Sequence, residues 1–206
     1  MRIGTTGIME FELYYDYLCP YVFRASLLLT NVSTERDLEV RWRYFSLTQV
    51  NSTEPRWTVW DAPPSERVRG RLAFKSAEAA RRQDKFDSYH AALLGARHHD
   101  RLDIDDPEVV EQVAEESGLD LERFRRDLDD PAILQPLARD HTHAVNKHGV
   151  FGTPTFVFPN GASAYIRLAE APGGAEALHV YDSLVAVAAA EPRILEIKRP
   201  TKPSPD

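Results

Sequence analysis

The chain has 206 residues, 43% of them hydrophobic and 28% charged, which is enough to bury a substantial core in one domain with an insertion or in two small ones. It holds a single cysteine, Cys19, so an internal disulfide framework and a thiolate zinc cluster are both excluded. A net charge of −7, with Lys and Arg interspersed among Asp and Glu, argues against nucleic acid as the main partner.

Glu10 to Asp16 alternates Phe11, Leu13 and Tyr15 with Glu12 and Tyr14, the pattern of a strand leading into a turn at Leu18-Cys19-Pro20. Pro20 suits the first turn of a helix that carries Val22, Ala25 and Leu29 inward as far as Asn31. Leu38, Val40, Trp42 and Tyr44 then predict a second strand, in a βαβ order long enough for parallel pairing. A loop over 46–64 holds Trp57 and Trp60.

Helical spacing follows. Val68, Leu72, Ala73, Ala77 and Ala80 form one stripe, and Phe86, Tyr89, Leu93 and Leu94 another. Asp106-Pro107 and Asp130-Pro131 read as capped helix starts, stopped at Gly118 and Gly149, with a short helix capped by Asp120 between them. Val150 to Phe158 predicts an apolar strand, Pro159-Asn160-Gly161 a hairpin turn, Tyr165 to Leu168 a return strand, and 173–190 a last helix closed by Pro192. Without the helical stretch the order is β-α-β, then β-β-α, which is the thioredoxin order. The expected fold is therefore α/β, a thioredoxin fold with a large inserted all-helical domain. Residues 8–64 and 149–192 make the discontinuous thioredoxin-like domain, 65–148 the insertion and 193–206 a C-terminal tail.

A lone cysteine is usually an inert core residue. Cys19 is placed otherwise, at the end of a strand and before a proline, where the free N–H groups of a helix start can stabilise a thiolate. Tyr14-Tyr15-Asp16-Tyr17-Leu18-Cys19-Pro20-Tyr21-Val22 resembles the active-site segment of the DsbA-like branch of the thioredoxin superfamily, and Gly149-Val150-Phe151-Gly152-Thr153-Pro154-Thr155-Phe156 resembles its cis-proline loop. The resemblance implies that Cys19 is a catalytic, exposed nucleophile. It also implies substrate-binding roles for Pro20, Tyr21, Thr153 and Pro154, with the backbone of Thr153 pairing with substrate. Independently, an X-Pro bond is the one peptide bond for which the cis form is cheap, ~0.5–1 kcal/mol.

The departure from the family is Val22, which stands where a Cys-x-x-Cys motif has its resolving cysteine. A single thiolate can open a disulfide, but a second thiol must then come from outside. The expected activity is thus that of a monothiol oxidoreductase acting on a small or protein thiol or disulfide, with no tightly bound cofactor and a glutathione-like thiol as co-substrate. Two alternatives stay open. One is a glutathione-type transferase or isomerase, like the kappa-class transferases and 2-hydroxychromene-2-carboxylate isomerases, in which Cys19 would hold a bound thiol. The other is a redox-inactive binding module.

Other polar groups carry weaker signals. His141 and His148 share a stripe with Leu134, Leu137, Ala138 and Val145 and read as core or interface residues, with His143 off that stripe. His98-His99-Asp100 lacks metal-ligand spacing, so no metal is expected. Trp57, Trp60 and Tyr21 are candidates to line a cleft. Met1 to Met9 lack the basic start and apolar run of a secretory signal, and no segment is long and apolar enough to span a bilayer. The chain is therefore read as cytoplasmic, with no membrane partner and the oligomeric state open.

Overall fold

The computed structural model describes residues 9–199; residue 8 of the expected first domain and 200–206 of the expected tail lie outside the described residues. Strand β1 (Met9–Tyr15) pairs in parallel with β2 (Leu38–Tyr44), and helix α1 (Pro20–Ser33) makes the crossover between them. On its other edge β1 pairs antiparallel with β3 (Thr155–Val157), which pairs antiparallel with β4 (Ser163–Tyr165). The sheet order is β2-β1-β3-β4. Side chains alternate across it. Phe11, Leu13 and Tyr15 join a cluster with Val22, Ala25 and Leu29 of α1 and Tyr181 of the last helix, while Tyr14 points the other way, against Ala144, Val150 and Val157.

Between β2 and β3 the chain is helical: α2 (Leu47–Val50), α3 (Arg71–Arg81), α4 (Phe86–His98), α5 (Pro107–Glu116), α6 (Leu121–Asp129) and α7 (Gln135–His148). Helices α3 to α6 pack on one another, and their core runs without a break into the sheet through Phe74 and Phe86, whose rings meet Tyr15 of β1. Each such large apolar side chain contributes roughly 1.5–3 kcal/mol on burial. Helix α7 lies against β2, and α8 (Gly174–Ala188) packs on α1. The caps at Asp106 and Asp120 form as spaced, accepting from Glu108 N–H at 2.9 Å and Arg123 N–H at 3.0 Å.

Several boundaries differ from the sequence expectation. Helix α7 starts at Gln135, not at Asp130-Pro131, because the Asp130 carboxylate accepts from Ala132 N–H at 2.8 Å and pairs with Arg82 at 2.7 Å, closing a separate turn. Val145, expected inward, is 42% exposed on α7. The long strand over 150–158 shrinks to three residues. Val150 N–H is used by Ala144 O at the end of α7, where Gly149 turns left-handed at φ +62°, and 152–154 form a bend. Strand β4 comes two residues early, with Thr155 opposite Tyr165, so Arg167 and Leu168 lie past its end. The loop over 46–64 contains α2, capped by the Ser46 hydroxyl accepting from Gln49 N–H at 3.1 Å. Helix α8 stops at Ala188, four residues short of Pro192.

Candidate functional site

The turn between β1 and α1 is organised by Asp16. This carboxylate is fully buried; one oxygen accepts from Leu18 N–H at 2.8 Å and the other from Leu47 N–H at 2.6 Å. Loss of water pushes its pKa up to about 6, and the two N–H groups act against that rise. The Asp16 carbonyl also accepts from Cys19 N–H at 3.1 Å, which places Cys19 at the cap position of α1 with Pro20 in the first turn. His98 donates to Tyr17 O at 2.8 Å, and Tyr17 OH pairs with His90 at 2.9 Å. Burial lowers the His90 pKa to about 3, so this contact stays uncharged.

Cys19 is 5% exposed, in contrast to the exposed thiol that the family resemblance implies. Its Sγ donates to Thr153 O at 3.2 Å. The two elements close over it, because Asp16 draws the turn inward and the loop before β3 lies against that turn. Thr153 is 2% exposed and precedes a cis bond to Pro154. Its carbonyl, expected to meet substrate, is thus already engaged by the thiol, and its buried hydroxyl has no partner. Pro154 O accepts from Ile166 N–H at 3.1 Å, carrying the β3–β4 pairing one residue past β4.

Cys19 lines a cavity of about 280 Å³, with Pro20, Tyr21 and Thr153 also on its wall. Leu18, Leu47 and Val50 add apolar lining, as do Phe151 and Tyr165, whose rings meet edge to face at 5.0 Å. Phe151 is 67% exposed. Gly152 matters here because a Cβ would sit 3.3 Å from the Tyr165 ring. Partial burial raises the Tyr165 pKa, and Arg167 opposes the rise. Val22, one turn into α1, is fully buried in the core.

Of the aromatic candidates, Tyr21 lines the cavity and the two tryptophans do not. Trp57 donates to Glu66 at 2.9 Å, and Trp60 packs on His141 at 5.5 Å. His141 is 6% exposed, stacks on Phe45 and accepts from Ser46 N–H at 3.2 Å; burial lowers its pKa to about 4. His148 is half-buried beside Tyr14, and His143 is exposed. His98 and His99 diverge, His98 to Tyr17 and His99 to Asp100. Among the described residues no three His, Cys, Asp or Glu side chains converge as metal ligands.

Asp16 is the positioning group that sequence reasoning passed over. Its signal is a lone charge inside Tyr14-Tyr15-Asp16-Tyr17, where an acid must either be solvated or bonded within the fold.

The model of the DSBA-like thioredoxin domain matches residues 10–182. Among solved structures, the probable DsbA oxidoreductase of Streptomyces coelicolor is 18% identical, with 94% of this chain and 93% of that chain covered and a TM-score of 0.63. A 2-hydroxychromene-2-carboxylate isomerase is 16% identical, covering 86% and 95%, with a TM-score of 0.62. The cytosolic disulfide reductase DsbM from Pseudomonas aeruginosa, solved with GSH, is 17% identical, covering 86% and 99%, with a TM-score of 0.60.

Proposed function

The chain belongs to the DSBA-like thioredoxin domain family, and from that premise we propose that it is a thiol–disulfide oxidoreductase with one catalytic cysteine, Cys19. The Cys19 thiolate attacks one sulfur of a disulfide. That S–S bond breaks, a mixed disulfide forms on Cys19, and the other half leaves as a thiolate that takes up a proton. An external low-molecular-weight thiolate then attacks the substrate sulfur of the mixed disulfide; the bond to Cys19 breaks, Cys19 leaves as the thiolate, and the substrate half departs in a new disulfide with the small thiol. The observation that carries this reading is the seat of Cys19, at the start of α1 on a cavity wall and 3.2 Å from the carbonyl before cis Pro154. Val22 leaves the chain no second thiol of its own.

A second reading has its own support. The Cys19 S–H acts as a hydrogen-bond donor and is almost fully covered, a role that serine can also fill. A transferase or isomerase that binds a thiol cofactor at this position fits that feature and the likeness to the isomerase fold. The working compartment we propose is the cytoplasm, in keeping with the likeness to the cytosolic reductase DsbM. No described helix is long and apolar enough to cross a membrane.

Intact mass spectrometry after incubation with oxidised small thiols tests the first reading, with Cys19→Ser as control. A stable adduct on the wild-type chain alone, reversed by added thiol, is the expected result. No adduct, together with isomerase or transferase turnover that survives in Cys19→Ser, would replace it with the second. A chain that does neither is a binding module.

A further inference from the structure

Two guanidinium groups converge on Tyr21, the aromatic that shares the cavity wall with Cys19. The Arg167 guanidinium carbon is 4.9 Å from the ring centroid and that of Arg24 is 5.2 Å from it. Arg24 is three residues beyond Tyr21, on the same side of α1, and donates to Leu168 O at 2.9 Å, which ties α1 to the segment carrying Arg167. Arg167 itself follows Tyr165 by two residues, the spacing that returns a side chain to the same face of an extended segment.

Neither guanidinium forms an ion pair among the described residues, a state they share with other arginines of the chain; what sets these two apart is that both lie against one ring on the cavity wall. Two like charges gathered on one ring with no carboxylate between them repel, and an anion placed there relieves that repulsion. Arg24 is half-buried and committed to the Leu168 carbonyl; Arg167 is exposed, and its planar fork suits a carboxylate. The exposed fork rests against the ring of Tyr21, which itself lines the cavity.

We propose that Arg167, seated on Tyr21 and backed by Arg24, recognises a carboxylate on the thiol or disulfide that meets Cys19, making the site selective for anionic thiols. This rests on the exchange reading above and names the chemical class of its substrate.

Three disulfides of similar size test it: 3,3′-dithiodipropionate (anionic), bis(2-hydroxyethyl) disulfide (neutral) and cystamine (cationic). Rates of adduct formation at Cys19 are each divided by the rate of the same disulfide with free mercaptoethanol, which removes intrinsic reactivity. The expected wild-type order is anionic, neutral, cationic. Arg167→Glu is expected to lower the anionic-to-neutral ratio at least tenfold and to raise the cationic-to-neutral ratio, while Arg167→Lys keeps the wild-type order. Ratios that Arg167→Glu leaves unmoved would overturn the inference with exchange intact. A wild-type chain that forms no adduct with any of the three would overturn the exchange reading and this inference together.

Discussion

The thiol of Cys19 and the carbonyl of Thr153 meet across 3.2 Å, closing the start of α1 against a loop 134 residues further along the chain. The contact joins the proposed nucleophile to the backbone that the family resemblance assigns to substrate. In the exchange proposed above, attack by the thiolate begins with loss of this hydrogen bond, which frees the Thr153 carbonyl.

Val22 occupies the place of a resolving cysteine, one helical turn from Cys19, and Val22→Cys is expected to convert the chain into a self-resolving dithiol. After mild oxidation both thiols should disappear from a thiol titration, and an adduct at Cys19 should no longer persist. Exchange of Val for the smaller Cys in the full core costs about 1 kcal/mol. A variant that still accumulates a stable adduct would mean that the two side chains do not face each other.

Asp16 makes stability depend on pH in a defined direction. Its folded pKa, about 6, is above its ordinary 3.8, so the folded state binds the proton more tightly and the group's contribution is full below 3.8. That contribution is lost as pH rises through about 6. The stability of the wild type minus that of Asp16→Asn should thus fall by about 2 kcal/mol between pH 4 and 7, by urea unfolding, and stay level above. Parallel pH profiles for the two proteins would contradict this.

Gly70 couples the helical segment to the site. Its φ is +80°, its N–H donates to Asp105, and a Cβ would lie 3.0 Å from the Leu18 side chain next to Cys19. Gly118 has a similar φ of +74° with nothing within 4 Å of its would-be Cβ. Gly118→Ala should therefore show the backbone cost alone, about 1 kcal/mol, and Gly70→Ala roughly twice that. Equal losses in thermal or urea unfolding would show that Leu18 yields freely.

Phe151 is too exposed to support the fold, and its ring is free to meet a substrate beside Tyr165. Phe151→Ala should leave stability within about 0.5 kcal/mol. Reaction of Cys19 with a neutral aromatic disulfide, dipyridyl disulfide, should slow roughly fivefold, the worth of one aromatic contact. The rate with bis(2-hydroxyethyl) disulfide serves as reference. An unchanged ratio between the two would remove Phe151 from the binding surface.

Elements whose signals are local were legible in the sequence. Strand β2 over 38–44 and the caps at Asp106 and Asp120 depend on alternation and on a side chain two or three residues from its partner. The elements that moved are those where distant groups intervene. Asp130 leaves the helix pattern because Arg82, in the turn after α3, competes for its carboxylate, and β3 is cut short by the bend at 152–154. In the same way, the burial of Asp16 depends on Leu47, and that of Cys19 on Thr153.

The sequence by itself determined that redox chemistry, if it occurs here, falls to one thiol at a strand-to-helix turn, with a valine where its partner would be. It did so because covalent identity and short-range order need no fold to be read. Only the tertiary structure decided that this thiol is covered, that Asp16 holds its turn, and that Arg24 and Arg167 converge on Tyr21. These depend on contacts between groups far apart in the chain, 31 residues for Asp16 with Leu47 and 134 for Cys19 with Thr153, where neither spacing nor periodicity carries a signal.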